Sequence, residues 1–289
     1  MNGQEMSNDL QRTIYETLGA LWPIWRGKGR WVNLLARTLT VGAYGTLKPI
    51  SVGRYSVWLD PGDLNDRLTY FGVGGRGNHL LMTELVRPGD VVIDGGANVG
   101  HFAATCAQLG ARVYAIEANP KLCERLSRTA GVDDPPRISV HNVALWRERT
   151  ELDFNIATIT GWSSLIENPT FQTASKVRVQ AVTLDEFAQT NGIERVRVLK
   201  LDLEGAETDA LLGAKRLLER QAIDYALVES DIHRLRAFSH TGNELDGLLT
   251  SAGYVPERVI DSEHVLPISD KRRMPGSFSG DHLYKRAGL

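Results

Sequence analysis

The chain has 289 residues, 42% of them hydrophobic and 24% charged, with a formal net charge of −2. That balance is ordinary for a globular protein long enough to bury a sizeable core, and it carries no global basic field of the kind nucleic acid attracts. Two cysteines, Cys106 and Cys123, lack zinc-ligand spacing and form no disulfide framework, while the polar start and short apolar runs suit neither a secretory leader nor a membrane span; a soluble cytoplasmic enzyme is expected.

In chain order, Leu10, Ile14, Leu18, Leu21, Trp22 and Trp25 recur at helical spacing, interrupted at Pro23. A second short helix is expected from Trp31 to Leu39. The basic residues cluster at the break between them, which favours packing as a lid or a homodimer contact over a membrane-surface role. Residues 46–73 read as a β-hairpin region, with Tyr55–Leu59 and Leu68–Phe71 as strands around Asp60-Pro-Gly. Residues 1–77 are thus an N-terminal helical and hairpin extension, and 78–289 the main domain. A helix at 78–87 opens that domain.

From Asp90 the pattern alternates. Strands are expected at Val91–Ile93, Arg112–Ile116, Ile138–Val143, Val196–Leu201 and Tyr225–Val228. Helices fall at 99–109, Lys121–Ala130, Thr208–Arg220 and 243–252. Leu152–Ile156 and Val177–Val182 form an inserted β-hairpin, and Tyr254–Ile260 with His282–Lys285 an antiparallel pair at the sheet edge. The fold class is α/β: a Rossmann-like, doubly wound, mostly parallel sheet of seven strands, with its ligand site at the carboxyl ends of the strands.

The stretch Asp94-Gly95-Gly96-Ala97-Asn98-Val99-Gly100 joins a buried strand to a helix. Glycines permit a sharp turn and a close ligand, and the helix start offers free N–H groups. Glu117 ends the next strand, where an acidic side chain can hold ribose hydroxyls. A dinucleotide loop would read G-x-G-x-x-G, but the nearest frame here is Gly95-x-Ala97-x-x-Gly100. Asp94 beside a pyrophosphate is unfavourable, whereas it suits the ammonium group of a methionine. S-adenosylmethionine is therefore favoured over NAD(P) as cofactor. An NAD(P)-dependent oxidoreductase and a non-catalytic cofactor-binding module are the alternatives.

The strings VVIDGGANVGHFA (91–103), AIEANP (115–120), VTLDEF (182–187) and LKLDLEGAETDALLGA (199–214), with Gly161-Trp162-Ser163-Ser164-Leu165, resemble the FkbM family of methyltransferases. The resemblance covers residues 78–230 well and the two ends weakly. It implies S-adenosylmethionine-dependent O-methylation of a small molecule, natural product or sugar. It also implies that Asp94, Gly96, Ala97, Asn98 and Gly100 serve the methionine half, Glu117 and Ala118 the ribose, and Asn142, Val143 and Ala144 the adenine. Asp202 and Glu204 would face both cofactor and acceptor. Two departures stand out: Gly95 where the family more often has valine, and Asn78 where many members carry an acid.

A hydroxyl is a poor nucleophile while protonated, so a general base should help by roughly 10²–10⁴-fold. His233, Asp202 and Glu229 are the catalytic candidates, with His233 favoured by its ordinary pKa and Glu229 or Asp231 placed to orient it. The alternative for His233 is a surface histidine at a helix start capped by Asp231. Trp162, Ser163 and Ser164 on the insert are candidate acceptor contacts. Asp202, Glu204, Asp231 and His233 also carry oxygen and imidazole groups suited to a divalent ion, although no metal is assigned.

Overall fold

The computed structural model describes residues 47–72, 75–131, 133, 136–159, 161–166, 173–260, 265–268 and 279–289. The expected tryptophan-rich helices, and a dimer contact through them, lie outside the described residues. A hairpin forms in the expected region, but the strand β2 (Tyr55–Leu59) pairs with β1 (Lys48–Val52), which precedes it, in antiparallel register from Lys48 opposite Leu59 to Val52 opposite Tyr55. Leu68–Phe71, read as a strand, instead closes helix α1 (Leu64–Tyr70). Asp63 is the reason: its carboxylate accepts the backbone N–H groups of Asn65 and Asp66, which nucleates the first turn. Helix α2 (Arg76–Leu85) then leads to the sheet.

The order of elements is β3 (Val91–Gly95), α3 (His101–Gln108), β4 (Arg112–Ile116), α4 (Pro120–Ala130), β5 (Ile138–His141), β6 (Ala144–Leu145), β7 (Thr150–Ala157), β8 (Thr173–Val182), α5 (Leu184–Thr190), β9 (Val196–Leu201), α6 (Glu207–Leu212), α7 (Lys215–Glu219), β10 (Ile223–Ser230), α8 (Ile232–Ala237), α9 (Gly242–Ser251), β11 (Tyr254–Ile260), β12 (Val265–Pro267) and β13 (Gly280–Arg286). The main sheet runs β12-β11-β13-β10-β9-β3-β4-β5. Strands β10, β9, β3, β4 and β5 are parallel neighbours, and β13 lies antiparallel between β10 and β11. The expected count of seven is exceeded by one, because β12 adds three residues to β11 as a short edge strand. Such a short edge strand offers little to pair with, a common protection of sheet edges. The insert is a separate sheet, β6-β8-β7, wider than the expected hairpin by the two-residue β6.

The parallel strands read as continuous apolar runs because both faces are covered. On one face Val57, Leu59, Leu81, Met82, Phe102 and Leu126 belong to one core cluster, so the β1–β2 hairpin shares the core of α2, α3 and α4. On the other, Ile93, Leu199, Leu201, Leu211, Leu235 and Leu249 pack under α6, α8 and α9. No helix among the described residues is long and apolar enough to cross a membrane.

Candidate active site

The strand order reverses between β3 and β9, the switch point at which doubly wound sheets leave a crevice beyond their carboxyl ends. A cavity of about 290 Å³ opens there. Its floor is the turn after β3. Gly96 has φ +75, and a Cβ at that position would lie 1.9 Å from the Asp202 carbonyl oxygen, so only glycine lets the two strand ends meet. Asn98 is also left-handed at φ 51. Gly100, at φ 90, starts α3 over Leu126 and does not line the cavity. Gly95 is packed: a Cβ would meet Leu145, Leu201 and the Lys200 carbonyl at 2.9 to 3.1 Å, so Leu145 fills the space a valine would need.

Glu117 sits at one end. One carboxylate oxygen accepts the Asn98 N–H and the other the Asn119 N–H, each at 2.8 Å. Burial raises its pKa to about 6, although the two amides oppose the shift. An ionised carboxylate offers about four acceptor positions, so about two stay available. Ala118, Leu122, Val143, Ala144 and Leu145 supply small and apolar walls beside it. Asn142 does not line the cavity, contrary to expectation. Its side-chain amide donates to the carbonyls of Glu117 and Ala118 at 2.9 and 3.0 Å and braces the β4 turn from outside.

At the other end stands a charged group. Lys200, buried near the end of β9, lies 3.1 Å from Asp202 and 3.5 Å from Asp94, with its Nζ 5.6 Å from the Phe102 ring centre. Burial alone would lower the lysine pKa, but Asp202 and Asp94 reverse that and raise it. Burial likewise opposes charge on Asp202, yet Lys200 holds its pKa below the ordinary value. Asp94 is fully buried behind the lysine and is not part of the cavity wall. Burial pushes its pKa up. Asn78 donates to Asp281 at 3.1 Å, so β13 provides a carboxylate next to the position where an acid was expected. Burial and Asp202 raise Asp281 to about 6.

Asp202 and Glu204 both line the cavity, and Glu229 stands behind them. Arg234 on α8 joins Glu204 and Glu229 at 2.6 and 3.0 Å. His233 is not brought into this group. It is exposed, its backbone N–H is accepted by Asp231 at 2.8 Å, and Glu229 bonds Arg234 instead. The capped-surface alternative describes it. From the insert, Ser163 lines the cavity, whereas Trp162 and Ser164 do not. Ser164 instead donates to the Glu204 carbonyl at 3.2 Å. His101 lines the cavity, held neutral by burial with its pKa lowered to about 4. His282 is buried within β13. Lys200, Arg234 and Asp281 were missed in the sequence. Lys200 alone had a signal there, a cation inside the apolar run Val196–Leu201.

This crevice defines a nucleotide-type site on a Rossmann-like methyltransferase scaffold, in which an acid on β4 faces a charged group on β9. The FkbM methyltransferase domain matches residues 94–256, more than half of the chain. The chain therefore belongs to the FkbM methyltransferase family. It is 26% identical over 151 residues to the hexuronic acid methyltransferase AglP of Haloferax volcanii, covering 52% of this chain and 59% of that one. It is 26% identical over 202 residues to the 2-O-methyltransferase NoeI of Sinorhizobium fredii, covering 61% of this chain and 81% of that one. A solved FkbM methyltransferase from Methylobacillus flagellatus aligns with a TM-score of 0.45 at 16% identity, over 77% of this chain and 52% of that one.

The residues present fit S-adenosylmethionine. The oxygens of Asn78 and Asn98 are buried with no hydrogen-bond partner among the described residues, which leaves acceptors beside the polar end. The Glu117 carboxylate suits a diol, and the wall of Ala118 and Val143 suits a flat base.

Proposed function

We propose that the protein is an S-adenosylmethionine-dependent O-methyltransferase whose acceptor is a hydroxyl of a sugar or of a sugar-bearing natural product. The carrying observation is one cavity with a diol-binding carboxylate, Glu117, at one end and the Asp202–Glu204 pair at the other. The sugar acceptor is supported by the activities for which the two relatives are named, one acting on a hexuronic acid and one a 2-O-methyltransferase. The cofactor supplies, when bound, a methyl group on a sulfonium that is already a good leaving group.

The protein's part is positioning and charge. Gly96, Ala97 and Asn98 hold the methionine half, Glu117 and Ala118 the ribose, and Val143 and Ala144 the base. Lys200 keeps Asp202 ionised, so a fixed negative charge faces the cationic centre. Ser163 and Leu165 close the cavity on the side of the insert, where the acceptor enters. Aligning an acceptor oxygen in this way can supply about 7–11 kcal/mol of the barrier.

Calorimetric titration with S-adenosylhomocysteine and, separately, NADH tests the reading. We expect micromolar binding of S-adenosylhomocysteine, weakened about 100-fold or more in Glu117→Ala, because a buried charge-assisted contact is lost along with the support of Asn98. Binding of NADH in its place would return the protein to the oxidoreductases.

A further inference from the structure

Asp202, Glu204 and Glu229 each bring a carboxylate oxygen to within 4.8 Å of the others. They come from the end of β9, the turn after it and the end of β10. Their cations are few. Arg234 divides one guanidinium between Glu204 and Glu229. Lys200 divides its ammonium between Asp202 and Asp94. Among the described residues, the other charged groups turned toward the cluster are Glu207 at the start of α6, Asp231 at the start of α8 and Asp281 on β13, all acids. Carboxylates this close, partly shielded from water and short of cations, do not all ionise at neutral pH; they hold a proton in common.

Within the cluster Glu204 is set apart by its backbone. It is left-handed at φ 58, ahead of Gly205 at φ 110, and non-glycine residues take that conformation only when their surroundings impose it. Here they do so from two sides. Glu207 accepts the N–H groups of Leu203 and Gly205 at 2.7 and 3.2 Å. Ser164 from the insert donates to the Glu204 carbonyl at 3.2 Å. The turn sets Glu204 in the cavity wall, beside Asp202 and opposite the insert.

We propose, resting on the methyl-transfer reading above, that Glu204 is the general base of the reaction, and that beside the ionised Asp202 it shares with Glu229 a proton that is expelled when a sulfonium binds in the cavity. The binding of a cation thereby arms the base. In the transfer the acceptor hydroxyl gives its proton to the ionised Glu204 as its oxygen forms the new bond to carbon. The carbon–sulfur bond breaks with its electron pair left on sulfur, and the proton taken by Glu204 replaces the one expelled on binding, so the cluster is back in its resting state when the neutral products leave. Asp202 remains ionised throughout, held by Lys200. The electrostatics agree. Burial, eased by Arg234 and strengthened by Asp202, drives Glu204 up to about 9, and Glu229 is raised well above the carboxylate range by burial and the same neighbours.

The test needs no acceptor. The full chain is titrated calorimetrically with S-adenosylmethionine and with S-adenosylhomocysteine, which differ by one methyl group and one positive charge, near pH 7.5 in phosphate and in Tris. The expected result is that S-adenosylmethionine releases about half a proton or more beyond S-adenosylhomocysteine, since a unit charge a few ångströms away shifts a carboxyl by about 1–3 pH units. The difference should vanish in Glu204→Gln, with folding checked by thermal melting. Equal proton counts for the two ligands in the wild type would overturn the proposal without any variant. A difference that survives in Glu204→Gln but disappears in Glu229→Gln would overturn the choice of base. Micromolar binding of magnesium chloride alone would overturn it too, because the ion would occupy the place assigned to the proton. If neither ligand binds, the methyl-transfer reading itself fails.

Discussion

The two ends of the cavity treat buried carboxylates in opposite ways. Glu117 has two backbone amides to itself, one for each oxygen. Glu204 has an arginine that it shares with Glu229, and its other charged neighbours among the described residues are acids. Burial raises both, but Glu117 stops at about 6 and Glu204 reaches about 9. Amides are fixed dipoles that cannot titrate, so they hold a charge in one place and one state. Neighbouring carboxylates respond to one another and to whatever cation arrives. One end is suited to recognition, the other to a change of charge.

The largest test of this contrast is to force the two ends apart. Gly96 is where they touch: Asp202 N–H donates to the Gly95 carbonyl at 3.1 Å, and the N–H groups of Gly96 and Ala97 both donate to Ile116 at 3.0 Å. Gly96→Ala would put a methyl 1.9 Å from the Asp202 oxygen in a left-handed conformation. We expect a loss of about 4 kcal/mol or more, a drop in melting temperature of about 10 °C, and no binding of S-adenosylhomocysteine. A variant that melts within 2 °C of the wild type would show that the strand ends do not meet this closely.

The recognition end was the legible one. Its parts are short strings at the ends of successive strands, and each local choice has one physical meaning: a glycine where φ must be positive, an acid at a strand end, a helix start. The charged end is assembled from four segments far apart in sequence, and only the one around Asp202 and Glu204, which also carries Lys200, lies in a motif that points to the site. Arg234 stands beside His233, and nothing in the string Asp231-Ile-His-Arg234 tells which side chain turns inward. The hydrogen bonding decides it, since both carboxylate oxygens of Glu229 accept from Nη1 of the arginine. Asn142 failed for a related reason. Its position after β5 was right, but a side chain one residue from the wall is spent on bracing the adjoining turn. The eighth strand was illegible because three residues carry no periodicity.

A pH series separates the two ends by their windows. Each raised carboxyl binds its proton more tightly in the folded chain than in the unfolded one, where Glu titrates near 4.3. Stability is therefore greatest below the unfolded pKa and declines as pH rises toward the folded one, by about 1.4 kcal/mol per pH unit for each such group. Glu117, at about 6, acts between roughly pH 4.3 and 6. Glu207 and Glu204, at about 7 and about 9, extend the decline into the alkaline range. The ligand-free protein should lose several degrees of melting temperature between pH 6 and 8.5. Glu204→Gln should flatten the upper part of that curve, whereas Glu117→Gln should act only on the decline below about pH 6. A melting temperature that rises from pH 6 to 8.5 would contradict the crowding of acids at the charged end.

The smallest expected effect concerns His233, the residue with the most suitable ordinary pKa for a base. It stands exposed in the first turn of α8, and its backbone N–H, not its ring, takes part in the Asp231 cap. His233→Ala keeps that cap, since any residue offers the same N–H. Stability should stay within about 0.5 kcal/mol, and affinity for S-adenosylhomocysteine within about twofold, as for surface positions generally. Arg234→Ala, one residue on, removes the guanidinium from Glu204 and Glu229 and leaves two partly buried acids without their cation, so the pair of variants should diverge sharply. The contrast tests the geometry of the charged end with the least disturbance to the fold. If His233→Ala instead abolished proton release on binding S-adenosylmethionine, the titrating group would belong to α8, and the carboxylate cluster would be reduced to its support.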